Sequence, residues 1–102
     1  MTRDYFDYKL GEYKDKIYFL SARVEPDFDD PDDFAVIVFY NDPDIDTNVE
    51  IARIDNAHGY VHFDKLYRRD QPKEELDVNV WEAVEMLEDN WRTYARSFEK
   101  KE

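Results

Sequence analysis

The sequence predicts an α+β domain in which one long C-terminal helix packs across one face of an antiparallel five-stranded meander. Three observations support this fold. Short apolar segments with strand-like alternation follow one another and are separated by turn residues. After residue 79 the apolar spacing changes to three and four. The 102 residues, 42% of them hydrophobic, provide material for one core, so residues 1–102 are expected to form a single domain.

The first two strands are predicted from alternating side chains. Phe6, Tyr8 and Leu10 alternate with polar residues, and a turn near residues 13–15 leads into Lys16–Glu25. One face of this second strand carries Tyr18, Leu20, Ala22 and Val24, and the other carries Ile17, Phe19, Ser21 and Arg23.

The third strand, Phe34–Tyr40, is apolar on both faces, which is typical of a central strand. A single helix covers only one face of a sheet. The other face of this strand, together with Ile17 and Phe19, is therefore expected to be exposed apolar surface. Because such a patch usually marks an interface, the sequence predicts a homodimer or a protein partner bound through the uncovered sheet face.

The fourth and fifth strands, Val49–Ile54 and Tyr60–Tyr67, are predicted to form a hairpin with residues 55–59 as its loop. A five-residue loop places Ile54 opposite Tyr60 and Ala52 opposite His62. In this register His62 shares the exposed face with Ala52 and Ile54. The core face then carries Val49, Ile51, Val61 and Phe63, alongside Arg53 and Lys65. Residues 68–76 are predicted to be a polar loop.

The C-terminal segment predicts an amphipathic helix of about 20 residues, about 30 Å long. Asn79 is positioned to cap its start, with Glu82 three residues later. Acidic residues crowd its first half and basic residues its second half, which complements the helix dipole. Its apolar stripe consists of Val80, Val84, Leu87, Trp91, Tyr94 and Phe98.

The chain carries 26 acidic and 14 basic residues, a net charge of -12. Its aromatic content of 17% distinguishes it from disordered acidic chains, which are poor in aromatic residues. Two interpretations of the acidic surface stay open. The surface could mimic or repel a nucleic-acid backbone, or it could reflect a halophilic origin, since concentrated salt screens self-repulsion.

Several classes of protein are excluded by what the sequence lacks. Without cysteine there is no disulfide scaffold, thiolate metal site or cysteine nucleophile. There is no glycine-rich phosphate loop or dinucleotide fingerprint, so no nucleotide cofactor is expected. The two histidines lack an evident third ligand, so no metal is expected either. No run approaches the ~18 apolar residues of a membrane helix, and residues 1–5 do not resemble a signal peptide, so we expect a cytoplasmic protein.

The candidate functional residues lie between residues 51 and 73, where five basic residues outnumber three acidic ones and both histidines occur. Nuclease chemistry needs a base for the 2′-hydroxyl proton and a cation for the developing phosphate charge. Candidate catalytic residues are His58, His62, Arg53 and Asp55, and candidate RNA- or anion-binding residues are Arg68, Arg69, Tyr60 and Lys65. In the alternative interpretation, Asp55 and Asn56 bond the loop backbone and the histidines are ordinary surface groups.

The string Arg53-Ile54-Asp55-Asn56-Ala57-His58, a second histidine in the next strand and a closing amphipathic helix resemble the TumE-type proteins of toxin–antitoxin modules. The acidic composition also resembles that of haloarchaeal proteins. The resemblance implies a small toxin–antitoxin component that acts on RNA or is neutralised by a partner. A non-enzymatic interaction module, either an acidic homodimer or a partner-binding subunit, stays open as the alternative.

Overall fold

The protein forms a six-stranded antiparallel sheet with one helix across one face, as described by a computed structural model covering residues 4–29, 31–56, 60–65 and 74–101. The predicted α+β meander is therefore confirmed, with one strand more than expected. The strands follow one another in the sheet in chain order. The elements are β1 (Asp4–Tyr13), β2 (Lys16–Glu25), β3 (Asp33–Asp42), β4 (Thr47–Asp55), β5 (Val61–Lys65), β6 (Glu74–Leu76) and α1 (Val80–Lys101).

The additional strand is β6, which pairs antiparallel with β5, with Leu76 opposite Val61. The expectation of a continuous polar loop over residues 68–76 is thus wrong for its last three residues. A three-residue strand is too short to produce a readable alternation. Its formation depends on the free edge that β5 presents, because that edge supplies the backbone hydrogen-bonding partners.

The core lies between α1 and the face of the sheet that it crosses. The predicted apolar stripe of the helix is buried there at Val80, Leu87, Trp91 and Tyr94, while Val84 and Phe98 are partly buried at its margins. The sheet contributes alternate residues of its central strands. These are Tyr18, Leu20, Ala22 and Val24 from β2, and Phe34, Val36, Val38 and Tyr40 from β3. No helix in the described residues is long and apolar enough to cross a membrane.

The helix begins with the predicted cap. The backbone N–H of Glu82 donates to Asn79 Oδ1 at 2.9 Å, and the backbone N–H of Asn79 donates to Glu82 Oε1 at 3.0 Å. These reciprocal bonds satisfy donors that the first turn leaves without helical acceptors. Near the other end, Glu99 forms an ion pair with Lys16 at the start of β2. Both ends of α1 are therefore fixed by side chains.

The register of β4 and β5 differs from the prediction. Ile54 lies opposite Phe63 and Asp55 lies opposite His62, whereas a five-residue loop would have placed Ile54 opposite Tyr60. The pairing leaves six residues, 56–61, between Asp55 and His62. Alternation within each strand does not encode how many residues connect β4 to β5. Relative to the predicted register, the actual connection shifts every β4–β5 pair by three residues.

A β-bulge in β4 changes which residues enter the core. Val38 lies opposite Ala52 and Phe39 lies opposite Glu50, so Ile51 has no counterpart in β3. Ile51 and Ala52 are consecutive, yet both are fully buried, as is Ile54. The prediction that Ala52 and Ile54 lie on the exposed face is therefore wrong, because a bulge interrupts the simple alternation of sides.

Gly11 allows α1 to lie close to β1. Leu10 is the extra residue of a second bulge, between Lys9 and Gly11 in the pairing with β2. A Cβ atom at Gly11 would lie 2.9 Å from Cζ2 of Trp91, closer than a non-bonded carbon contact permits. The indole in turn packs on Tyr18, with ring centroids 5.2 Å apart. The missing side chain therefore provides the space that the largest core residue of the helix occupies.

We expect Gly11→Ala to lower the free energy of unfolding by about 1–3 kcal/mol, because the added methyl group overpacks the indole. Chemical denaturation followed by circular dichroism measures this change. In a Trp91→Phe background the cost of Gly11→Ala should be smaller, because the clashing carbon is gone. An equal cost in both backgrounds would show that the contact with Trp91 is not the cause.

Candidate functional site

The second face, by which we mean the sheet face opposite α1, carries a continuous row of side chains that runs across all six strands. Each residue of this row is the direct partner of the next. The row consists of Tyr5, Arg23, Ala35, Asp55, His62 and Glu75. Because paired residues in an antiparallel sheet point to the same side, the register alone brings basic, acidic and imidazole groups together. The candidate site is built on this row.

Asp55 and His62 of the row and two further β4 residues on the same face form a connected group, which we call the polar cluster: Glu50, Arg53, Asp55 and His62. His62 Nε2 lies 3.0 Å from Asp55 Oδ1. Arg53 Nη1 lies 3.9 Å from Asp55 Oδ2, and Arg53 Nη2 donates to Glu50 Oε1 at 2.8 Å. Three of the predicted site residues, Arg53, Asp55 and His62, are thus neighbours in the structure.

His62 is buried, contrary to the expectation that it faces water. Only 1% of its surface is exposed, and Asp55 is 8% exposed. Their position follows from the register that pairs them, and the ring of Tyr60 lies 5.4 Å from the imidazole, centroid to centroid. A general base must come within about 3 Å of the proton that it removes. In this conformation the imidazole is directed at Asp55 rather than at a bound substrate.

Arg53 is surrounded by carboxylates rather than standing alone as a cation. Its guanidinium group contacts both Glu50 and Asp55, whose negative charges offset its own. In the polar cluster, the carboxylates of Glu50 and Asp55 offset the charge of the single guanidinium group. Such mutual contacts are suited to fixing the positions of the cluster's members. The polar cluster attracts a phosphate group less strongly than an isolated arginine would.

An open cleft of about 380 Å³ lies beside the polar cluster. Ala35 lies between Arg23 and Asp55 in the row, and its single methyl group leaves a depression between longer side chains. Charged groups of both signs line the cleft: Arg23 and Arg53 on the one hand, and Glu25, Asp33 and Asp55 on the other. Arg23 is not among the residues predicted from the sequence, because only the register of β2, β3 and β4 brings it next to them.

Asn56 connects the end of β4 to the beginning of β3. Its Oδ1 accepts a hydrogen bond from the backbone N–H of Phe34 at 2.9 Å, and its Nδ2 donates to the carbonyl of Asp32 at 2.9 Å. Its own backbone N–H donates to the carbonyl of Phe34 at 3.3 Å. In the alternative interpretation, Asn56 bonds the backbone of its own loop. Among the described residues it bonds to positions 22 and 24 residues earlier, and these bonds hold one wall of the cleft.

The remaining predicted residues are not brought into the polar cluster by the described structure. Tyr60 is exposed above His62, and the backbone of Lys65 pairs with Ala52. His58, Arg68 and Arg69 lie outside the described residues. Among the residues that are described, no group of three or more histidine, aspartate or glutamate side chains has the arrangement of a metal site.

The fold and the row of side chains define a small α+β domain with a buried aspartate–histidine pair on the sheet face opposite its helix. The chain belongs to the family described as Domain of unknown function (DUF7718), whose model matches residues 1–102. No curated protein and no solved structure matches the chain significantly. The similarity to TumE-type proteins therefore stays a prediction.

We expect Asn56→Ala to lower the free energy of unfolding by about 1–3 kcal/mol, because it leaves the partly buried N–H of Phe34 without its acceptor. Thermal and chemical denaturation measure the change. The matched control is Asn48→Ala, which removes only an exposed side-chain bond with Asn41. Equal stability of the two variants would contradict the bridging role of Asn56.

Proposed function

We propose that this chain is an acidic protein-interaction module that binds a basic partner protein through the centre of its second face. The partner-neutralised component of a toxin–antitoxin-like pair is one setting for such a module. The observation that carries this proposal is an apolar patch on β2 and β3, on the side of the sheet away from α1. We call it the central patch, and it consists of Ile17, Phe19, Ile37 and Phe39.

The central patch is partly exposed to solvent. Phe19 and Phe39 are direct cross-strand partners, and their rings stack with centroids 5.5 Å apart and 20° between their planes. Both phenylalanines and Ile37 are partly exposed, and Ile17 is 40% exposed. Among the described elements, none packs on this side. An apolar patch of stacked aromatic and branched side chains favours burial against a partner.

The charge around the central patch favours a basic partner over a second copy of the same face. Among the described strand residues, the second face carries eight carboxylates and three cations. Two such faces brought together would repel each other, whereas a partner with a basic rim and an apolar centre would be attracted. The carboxylates are Asp7, Glu12, Glu25, Asp33, Glu50, Asp55, Asp64 and Glu75, and the cations are Lys9, Arg23 and Arg53.

We expect Ile37→Thr to weaken binding of the partner about tenfold, because it removes apolar contact while keeping the β-branched shape that suits a strand. The measurement is affinity purification of the tagged protein from its native host, followed by titration with the basic protein recovered in equal amount. The matched control is Ile45→Thr, an exposed isoleucine (64%) in the turn after β3.

Two results would contradict this proposal. One is recovery of the same proteins, in the same amounts, with both threonine variants. The other is a stoichiometric partner that is acidic, since the charge argument requires a basic one. A partner that is lost with Ile37→Thr, retained with Ile45→Thr and released by salt supports the proposal.

A second candidate function is that of an RNA-directed toxin–antitoxin component. It is favoured by the proximity of Arg53, Asp55 and His62, next to a cleft whose far wall carries Arg23. In this function the two arginines contact phosphate. The Asp55–His62 pair then acts only after a movement that exposes the imidazole, because His62 is buried. The chemistry would be general-base removal of the 2′-hydroxyl proton, with cationic stabilisation of the phosphate.

For this second function we expect expression of the protein to inhibit growth and the purified protein to cleave RNA in concentrated salt. His62→Gln or Arg53→Gln should reduce cleavage by about 10²-fold while the circular dichroism spectrum is unchanged. Arg96→Gln, on the exposed side of α1, is the control. Absence of both growth inhibition and RNA cleavage would eliminate this candidate and leave the interaction module.

A further inference from the structure

We propose that the outer edge of β1 pairs with the same edge of a second copy of the chain, so that two six-stranded sheets become one continuous antiparallel sheet. This surface differs from the central patch on β2 and β3. The inference does not depend on the proposed function, and the two surfaces are tested by different substitutions.

The first observation is that β1 is a long edge strand. It has ten residues and, within the part of the chain that the structure describes, pairs with β2 on one side only, whereas the strand at the opposite edge, β6, has three residues. The sequence of β1 contains no proline to block its outer edge. An edge strand presents a row of outward-directed backbone N–H and C=O groups, which another strand can satisfy.

The available part of this edge has a defined limit. The bulge at Leu10 bends the strand, and beyond it Arg92 Nη1 donates to the carbonyl of Glu12 at 3.3 Å. The segment that leads up to the bulge and ends at it, Phe6–Leu10, is the part of the edge left for pairing with another strand. At its centre, the hydroxyl of Tyr8 donates to Glu88 Oε1 at 2.6 Å, which holds the strand against α1. Burial, and then the bond to Glu88, raise the pKa of Tyr8, so this donor stays protonated.

The second observation is that two copies of this segment have complementary charges when they pair in antiparallel orientation. In antiparallel pairing centred on Tyr8, Asp7 of each copy faces Lys9 of the other, giving two ion pairs on the second face. Residues that face each other must share a side of the sheet, so the neighbouring registers are centred on Asp7 or on Lys9. Those registers place two aspartates or two lysines directly opposite each other. The sequence therefore specifies one of the three registers.

The third observation is that exposed aromatic side chains flank the same edge. Tyr5 is 71% exposed on the second face, and Trp81 is 52% exposed on the helix side. Trp81 stacks on Phe6, with centroids 6.0 Å apart and 12° between the ring planes. In the register centred on Tyr8, Phe6 faces Leu10 of the second copy. These side chains supply the apolar contact that a five-residue strand pair needs in addition to its hydrogen bonds.

The test uses charge reversal at the two complementary positions. Asp7→Lys gives a chain with lysine at both positions, and Lys9→Asp gives a chain with aspartate at both. Sedimentation equilibrium over a dilution series measures the dimer dissociation constant of each protein. Asp89→Lys and Lys100→Asp, on the exposed side of α1, make the same changes in net charge away from this edge. Circular dichroism confirms that every variant is folded.

We expect the unmodified chain and both helix controls to dimerise. Asp7→Lys and Lys9→Asp should each raise the dissociation constant about tenfold or more, since every cross-strand ion pair becomes a repulsion. An equal mixture of these two variants should form a heterodimer, because all four charges are then complementary. A monomeric unmodified chain, a dimer that is insensitive to both reversals, or a mixture that stays monomeric would each overturn the proposal. Ile37→Thr should leave this dimer unchanged.

Discussion

The pairing of β3 with β4 is the constraint on which the core and the candidate site both depend. Its bulge turns Ile51 and Ala52 into the core together, and the alternation then directs Arg53 and Asp55 to the opposite face. Without the extra residue, the strand would have to expose either Ile51 or Ala52 and would direct its charges elsewhere. The bulge in the β3–β4 pairing thus fills the space under α1 and also places the polar cluster on the opposite face of the sheet.

Much of the fold could be predicted from the sequence because it depends on local patterns. The helix, its Asn79–Glu82 cap, the turn before Lys16 and the central strand at Phe34–Tyr40 all result from short-range spacing or from the chemistry of single residues. The register of β4 and β5 is different in kind. It depends on how many residues the connection uses, which is decided by packing against the rest of the sheet.

The candidate site also combines features that local sequence predicts with features that depend on the strand register. A hairpin between residues 53 and 62 predicts that Arg53, Asp55 and His62 lie near each other, and they do. The expected register is nevertheless wrong in assigning Arg53 to the core face, because the bulge turns it to the face of Asp55 and His62. The burial of His62 could not be predicted, because the expected register pairs it with Ala52, whereas the structure pairs it with the Asp55 carboxylate. Arg23 enters the same cleft from β2, which is separated from β4 by β3. No spacing within the sequence relates Arg23 to Arg53. Only the register of β2, β3 and β4 therefore places Arg23 in the candidate site.

The two tryptophans lie in different environments, so the intrinsic fluorescence of the protein reports on two separate regions. Trp91 is enclosed between Gly11 and Tyr18, whereas Trp81 lies half in solvent on Phe6 and Phe28. Acrylamide should therefore quench the emission of Trp81 readily, whereas the emission of Trp91 should stay shielded until the sheet opens. Because the chain has no other tryptophan, intrinsic fluorescence can separate events at the β1 edge from loss of the core.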